Sequence, residues 1–154
     1  MKLQLFSLVL AATLAGPAVS GDVLADNPAA IAELMRNFGY RANLGTDDQG
    51  DPKIDSSSGG SNFSIYFYGC TNGKACDSIQ FSSGFDLTKG SSLQVVNDWN
   101  RDKRYGKAYL DNEMDPFIEM DFNLDFGGIS DENFRDSLDI WERLVGDFKK
   151  HINF

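Results

Sequence analysis

Among the residues that could carry chemistry, the acidic ones stand out, and a few have the spacing of calcium ligands. Asp121, Asn123 and Asp125 alternate, and Glu132 follows eleven positions after Asp121. This nearly matches the loop of a calcium-binding helix-loop-helix motif. The sixth loop position, normally glycine, is Phe126, and the surrounding alternation of apolar residues indicates a strand. We therefore predict no metal site in this segment.

The sequence also lacks a recognisable catalytic constellation. It contains no nucleophile elbow, phosphate-binding loop or zinc-protease motif. The single histidine, His151, falls in the last turn of a predicted helix, where a cationic side chain is common. Glu119 and Asp121 share one face of a predicted strand, which leaves a carboxylate-based hydrolase as an alternative. The acidic turn at 47–55 could bind a cation, although turn acids are usually solvated. We predict no catalytic residues, no bound metal and no cofactor.

The two cysteines, Cys70 and Cys76, are predicted to form a disulfide that clips a hairpin. Their spacing does not match the C-x-x-C redox pattern. Asn72-Gly73 between them is typical of a tight turn. A strict two-residue turn would pair Cys70 with Ala75, so a longer loop or a bulge is needed. Export favours the disulfide, whereas a reducing cytosol would leave two buried thiols. Closing so short a loop should contribute about 1–2 kcal/mol.

The first twenty residues have the features of a secretory signal peptide. Lys2 precedes an apolar run, and Ala18 and Ser20 place small residues before a cleavage site after Ser20. An uncleaved anchor or a buried first helix is the alternative. Cleavage would leave residues 21–154 as one domain, periplasmic or secreted. Its 13 basic and 23 acidic residues, a net charge of about −10, disfavour nucleic acid and anionic lipid as partners. We expect no membrane insertion once the signal is removed.

The pattern of the remaining chain predicts an α+β domain. Apolar alternation predicts strands at 40–44, 63–67, 79–85, 108–110 and 118–126, with a weak strand at 53–55 and a flexible connector at 56–60. Helical spacing and capping residues predict helices after Asn27 and Ser130, and a further helix is predicted to start between Thr88 and Ser92. Hairpins followed by helices indicate an antiparallel sheet of about five to six strands with three helices packed against it.

The last strand and the last helix are predicted to form half of the core. The strand carries five alternating apolar residues on one face, namely Ile118, Met120, Phe122, Leu124 and Phe126. The helix carries an apolar stripe that includes Phe134, Leu138, Trp141, Val145 and Phe148. Each face needs a cover, and the simplest cover is the other face.

Both tryptophans fall on apolar helix stripes. Trp99 shares its predicted helix face with Leu93 and Val96, and Trp141 lies on the final helix. Core packing is the simplest interpretation of both. The alternative is an apolar groove beside Trp99 or Trp141 that binds a partner segment.

Several short motifs resemble the YbjN family of bacterial proteins. They are Val95 to Asn100, Arg101 to Arg104, Ala108 to Asp111, Ile118 to Asp121 and Gly127 to Ser130. Proteins of this family are described as regulators of sensory transduction. The resemblance implies a fold similar to type III secretion chaperones, often dimeric, and it implies neither an enzyme activity nor catalytic residues.

These observations predict a non-catalytic, exported regulatory protein that binds a protein or peptide in a chaperone-like manner. Its role would lie in sensory transduction or envelope homeostasis. The partner is unidentified, and the protein itself could form a homodimer. A small-ligand sensor and a carboxylate-based hydrolase are the alternatives.

Overall fold

A computed structural model describes residues 23–154, which form three helices and one six-stranded antiparallel sheet. The α+β class, the three helices and the strand number are confirmed. The predicted signal peptide lies outside the described residues. The helices are α1 (Pro28–Asn37), α2 (Leu93–Asp102) and α3 (Asp131–Ile152). The strands are β1 (Arg41–Thr46), β2 (Pro52–Ser58), β3 (Ser61–Tyr68), β4 (Ser78–Gly84), β5 (Lys107–Leu110) and β6 (Pro116–Asn123).

The sheet is an antiparallel meander except at one end, where the last two strands, β5 and β6, have swapped places relative to their order in the chain. Strands β1 to β4 pair in chain order, and the sheet continues from β4 to β6 and then to β5. The chain leaves β4 through α2, forms the edge strand β5, and returns between β4 and β5 as β6. Strands β1 and β5 are therefore the two edges.

Each helix begins with a capping side chain, and two of the three caps, Asn27 and Ser130, are predicted from the sequence. Asn27 accepts a hydrogen bond from the Ala30 amide (3.2 Å) and Ser130 accepts one from the Asn133 amide (3.1 Å). Ser92 caps α2 in the same way. Because a cap satisfies amides that have no helical partner, a local sequence signal is sufficient to place the starts of α1 and α3.

The core lies between the helices and one face of the sheet. Phe81 of β4 is fully buried, and its ring centroid lies 5.7 Å from that of Trp141 and 5.0 Å from that of Phe122. Trp99 of α2 packs against Phe148 of α3 at 4.9 Å. The predicted sharing of a core by β6 and α3 is therefore confirmed, with β4 between their aromatic rings.

Two residues assigned to the core from apolar spacing are exposed. Strand β6 ends at Asn123, whose side chain accepts a hydrogen bond from the Asp125 amide and starts a turn. Phe126 is 97% exposed with φ 58°, so its predicted place on the strand face is wrong. Leu93, the first residue of α2, is 72% exposed and does not share the buried face of Val96 and Trp99.

Strand β2 is longer than the sequence predicts. It spans seven residues, and Ser56, predicted to lie in a flexible connector, is buried opposite Phe63. The turn itself takes only Gly59 and Gly60, both with positive φ, which glycine adopts without steric cost. Pairing on both sides overrides the loop-like composition of this strand.

The hairpin between β3 and β4 contains the predicted disulfide between Cys70 and Cys76. Thr71 and Lys74 exchange two backbone hydrogen bonds around the turn. Ala75 then adopts φ 50° as an extra residue, and Tyr68 pairs with Ser78. The predicted bulge is present, and it brings Cys76 rather than Ala75 to Cys70.

Candidate functional site

The second face of the sheet is polar and open, unlike the face that carries the helices. The buried apolar residues of all three helices form one cluster with the apolar face of the sheet. Alternation along the strands places the remaining side chains on the opposite surface. We call this surface the open face; its central residues are Tyr66, Tyr68, Gln80, Ser82, Tyr109, Phe117, Glu119 and Asp121.

A chain of hydrogen bonds crosses the open face from β3 to β6. The Tyr68 hydroxyl donates to Gln80 Oε1 at 3.2 Å, and Gln80 Nε2 donates to Asp121 Oδ1 at 2.7 Å. Gln80 and Asp121 are direct cross-strand partners of β4 and β6. The sheet register therefore brings together three side chains that are far apart in sequence.

The chain of contacts continues to the edge strand β5. Lys107 Nζ lies 3.2 Å from Glu119 Oε2 and 3.6 Å from Asp121 Oδ2. The Tyr109 hydroxyl donates to Glu119 Oε1 at 3.0 Å. We call the complete set the open-face network; it consists of Tyr68, Gln80, Lys107, Tyr109, Glu119 and Asp121.

Two residues at the centre of the network, Gln80 and Glu119, are buried although no helix covers this side of the sheet. Glu119 is only 9% exposed. Its hydrogen bond to Lys107 raises the pKa of that ammonium group. Burial, followed by the hydrogen bond to Glu119, raises the pKa of Tyr109. Burial and the nearby Glu119 charge also raise the pKa of Tyr68. Both tyrosines thus remain neutral hydroxyl donors at physiological pH, and the network carries one excess negative charge.

The open-face network lines a depression of about 780 Å³, together with Ser78, Phe122 and Asn123. A second depression of about 380 Å³ lies on the same face and is lined by Arg41, Asp55, Tyr66 and Phe117, among others. Tyr109 stacks on Phe117 with centroids 5.3 Å apart, so an aromatic pair connects the two regions. The result is an elongated surface with aromatic rings and charged groups of both signs.

The structure places the other predicted site residues away from this face. Trp99 and Trp141 are each about 1% exposed in the core. Trp99 also donates its indole N–H to the Gly106 carbonyl at 3.0 Å. Both tryptophans therefore pack in the core. Neither indole is exposed, so a partner groove beside them gains no support from their positions. His151 Nε2 contacts the Val95 carbonyl at 2.8 Å and links α3 to α2.

Residues 23–154 contain no group of three or more His, Cys, Asp or Glu side chains placed to hold a metal ion. In the acidic turn, Asp47 Oδ1 accepts hydrogen bonds from the amides of Gln49 and Asp51. Its role there is to stabilise the turn. Glu119 and Asp121, the candidate hydrolase pair, are held together by Lys107. This arrangement is typical of an ion-paired surface network.

Sequence reasoning noticed Glu119 and Asp121 but missed their partners. Alternation shows that Gln80 and Lys107 point away from the core, yet it does not show which strands are neighbours. The exchange that places β6 between β4 and β5 decides this. A strand order taken from the chain order would have placed Lys107 between Gln80 and the two acids.

The fold and the open face define an α+β protein with a polar-aromatic sheet surface. Residues 27–154 match the model of the YbjN family, described as "Putative bacterial sensory transduction regulator". The chain belongs to the YbjN family, and that description is of a regulator rather than an enzyme. Neither a curated protein nor a solved structure gives a significant match. Similarity to type III secretion chaperones therefore stays a prediction. Within residues 23–154, every helix is too short or too polar to cross a lipid bilayer.

Proposed function

We propose that this protein is a non-catalytic regulator that binds a protein or peptide partner on the open face of its sheet. The observation that carries the proposal is the open-face network and the extended depression above it. Binding surfaces combine apolar or aromatic area with a few polar groups in fixed positions. Tyr68 and Tyr109 supply rings that are 45% and 39% exposed, and the network fixes both hydroxyls.

The charge distribution indicates the chemistry of the partner. Asp121 has a side chain that is 60% exposed, although Gln80 and Lys107 hold it in place. The network has one more negative than positive group, and the whole chain has a net charge of −9. A partner segment with a lysine or arginine side chain is complementary to this surface. The aromatic rings beside the carboxylates would also favour a cation.

The shape favours an extended partner over a small ligand. The two depressions lie side by side on one open surface, and residues from all six strands border them. A sensor of small molecules usually encloses most of its ligand. The alternative of a carboxylate-based hydrolase is less well supported, because Lys107 and the hydrogen bonds of Tyr109 and Gln80 engage both acids.

The proposal is tested by affinity capture with matched charge-reversal variants. Asp121→Lys reverses one charge on the open face, and Asp86→Lys makes the same change on an exposed residue outside it. Wild type and Asp86→Lys should recover the same specific partner from an envelope extract. Asp121→Lys should recover at least about tenfold less. Equal recovery by all three proteins, or no reproducible partner, would overturn the proposal.

We also propose that the protein is exported and works in the periplasm or outside the cell. Support comes from the signal-like residues 1–20 and from the disulfide between Cys70 and Cys76, a bond that persists in oxidising compartments. Amino-terminal sequencing of the protein from cell fractions should find Gly21 as the first residue. An intact amino terminus on cytosolic protein would contradict export.

A further inference from the structure

The two depressions of the open face differ in how their polar groups are used. In the depression of about 780 Å³, the open-face network joins the polar side chains to one another. In the depression of about 380 Å³, here called the second depression, several lining side chains make no hydrogen bond or ion pair within residues 23–154. They are Arg41, Asn62, Tyr66 and Ser82. The second depression therefore leaves polar groups available to a ligand.

Ser82 is the most informative of these residues, because it is buried. It is only 8% exposed, yet in the described part of the chain its hydroxyl has no hydrogen-bond partner. Its cross-strand neighbour Ser64 donates its own hydroxyl to Asp55 at 2.7 Å. A buried hydroxyl without a partner costs free energy, so a ligand that supplies the missing bond gains affinity.

The sheet register makes the second depression a trough that crosses the strands. Ser64 and Ser82, which are small, form its floor. Along β3, Tyr66 follows Ser64 by two positions and Asn62 precedes it by two, so both stand beside the floor on the same face. Their Cα atoms are about 13 Å apart, since a strand rises about 3.3 Å per residue. Once the side chains are allowed for, this width suits a single six-membered ring.

Aromatic rings form the sides of this trough. Phe117 lies across Gly84, its cross-strand partner, because a Cβ atom added at Gly84 would be 2.5 Å from the Phe117 ring. Gly84 thus makes room for the ring, and Tyr109 stacks against it at 5.3 Å. The ring of Tyr66 stands on the other side of the floor, with Lys53 Nζ 5.7 Å from its centroid. The trough therefore combines a hydroxyl floor with aromatic sides.

The lining disfavours most classes of ligand. Arg41 disfavours a cation, and Asp55 together with the net charge of −9 disfavours an anion. An apolar ligand would leave Ser82, Asn62 and Tyr66 without partners, which costs free energy. The complementary ligand is neutral and carries many hydroxyl groups, each able to donate and to accept, together with apolar C–H groups for the rings.

We propose that the second depression binds a neutral polysaccharide, with one sugar ring on the floor formed by Ser64 and Ser82. The trough is open to solvent, so the chain continues beyond the site. A β-1,4-linked chain suits this shape, because it is straight and flat. Sugar hydroxyls bond to Ser82 and Asn62, and C–H groups pack against Phe117. The site is independent of the protein partner proposed above, whose charge contact with Asp121 lies in the other depression.

NMR titration of the labelled protein with cellotetraose and with chitotetraose tests the proposal. At least one of these sugars should shift the amides around Ser82 and Phe117, with a dissociation constant of about 1 mM. Ser82→Ala removes the floor hydroxyl and should weaken binding about fivefold, as expected for one lost hydrogen bond. Ser61→Ala is the matched control. It removes a similarly buried hydroxyl from the opposite face of the sheet and should bind like wild type.

A second pair of variants tests the aromatic side of the trough. Phe117→Leu removes the ring and should weaken binding about tenfold. Phe126→Leu makes the same change on an exposed ring outside the depression and should leave binding unchanged. No readout involves the protein partner, so the result does not depend on the function proposed above. A wild type that binds neither sugar, or wild-type affinity in both folded Ser82→Ala and Phe117→Leu, would overturn the proposal.

Discussion

Two neighbouring residues of β4 show how differently the two faces of the sheet achieve burial. Phe81 is fully buried among the rings of Phe63, Phe122, Phe134 and Trp141, at centroid distances of 5.0–6.2 Å. Gln80 is 8% exposed on the opposite face, where its side chain bonds to Tyr68 and Asp121. Both side chains are withdrawn from water, one by apolar packing and the other by polar partners.

The two faces of the sheet therefore serve different purposes. Apolar burial yields a large net stabilisation, whereas a hydrogen bond replaces bonds to water and contributes only about 1 kcal/mol net. An exposed ion pair such as that between Lys107 and Asp121 contributes even less. The network therefore orders the open face without being a major source of stability, which suits a surface that binds a partner.

The largest effect should come from the helix-covered face. Phe81→Ala leaves a cavity among four aromatic rings and should lower the free energy of unfolding by about 3–5 kcal/mol. Gln80→Ala, one residue away, should cost about 1 kcal/mol, because two hydrogen bonds to partly exposed partners are lost. Urea unfolding followed by tryptophan fluorescence measures both. Equal losses would remove the distinction between the faces.

The disulfide should have an intermediate effect, since it closes a short loop beyond the core. Replacing Cys70 and Cys76 together by alanine should lower the free energy of unfolding by about 1–2 kcal/mol. Reduction should add two hydrogens to the intact mass of the native protein. Labelling of free thiols in the unreduced, denatured protein would show that the bond is absent.

Alkaline pH should weaken the fold through Tyr40, which is partly buried and donates a hydrogen bond to Glu142 of α3. Burial, followed by the charges of Glu142 and Asp139, raises the pKa of Tyr40 from 10.0 to about 12. A raised folded-state pKa contributes stability that is complete below pH 10 and is lost as the pH rises through about 12. The free energy of unfolding should therefore fall across this window, and less steeply in Tyr40→Phe. Identical slopes would contradict this assignment.

The smallest effect should come from Phe126, which apolar spacing assigns to the core. Phe126→Asn should change the free energy of unfolding by less than about 0.5 kcal/mol, because the ring is exposed and asparagine tolerates positive φ. Phe122→Asn is the matched control: this ring packs 5.0 Å from Phe81, and its loss should cost clearly more. Similar losses in chemical denaturation would mean that Phe126 is packed after all.

Local signals predicted much of this fold, and long-range pairing decided the rest. The starts of α1 and α3 follow from Asn27 and Ser130, because capping depends on neighbouring amides, whereas the start of α2 was predicted only to lie between Thr88 and Ser92. The end of β6 could not be found from alternation, since the turn begins with a side-chain hydrogen bond of Asn123. The serine-rich β2 forms because strands pair with it on both sides.

The candidate site was the least predictable part. Its acidic residues, Glu119 and Asp121, are visible in the sequence as a pair on one strand face. Their partners Gln80 and Lys107 come from β4 and β5, and only the strand exchange brings these strands to either side of β6. Strand order is a property of the whole sheet, so no local pattern could have identified the network.

Site-specific photo-crosslinking tests the central claim, that the open face binds the partner, most directly. A benzophenone amino acid is introduced at Tyr68 on the open face or at Tyr105 on the helix side, two tyrosines that are 45% and 49% exposed. On irradiation in intact cells, the account predicts a discrete adduct with one partner from position 68 and none from position 105. An adduct from position 105 without one from position 68 would contradict it.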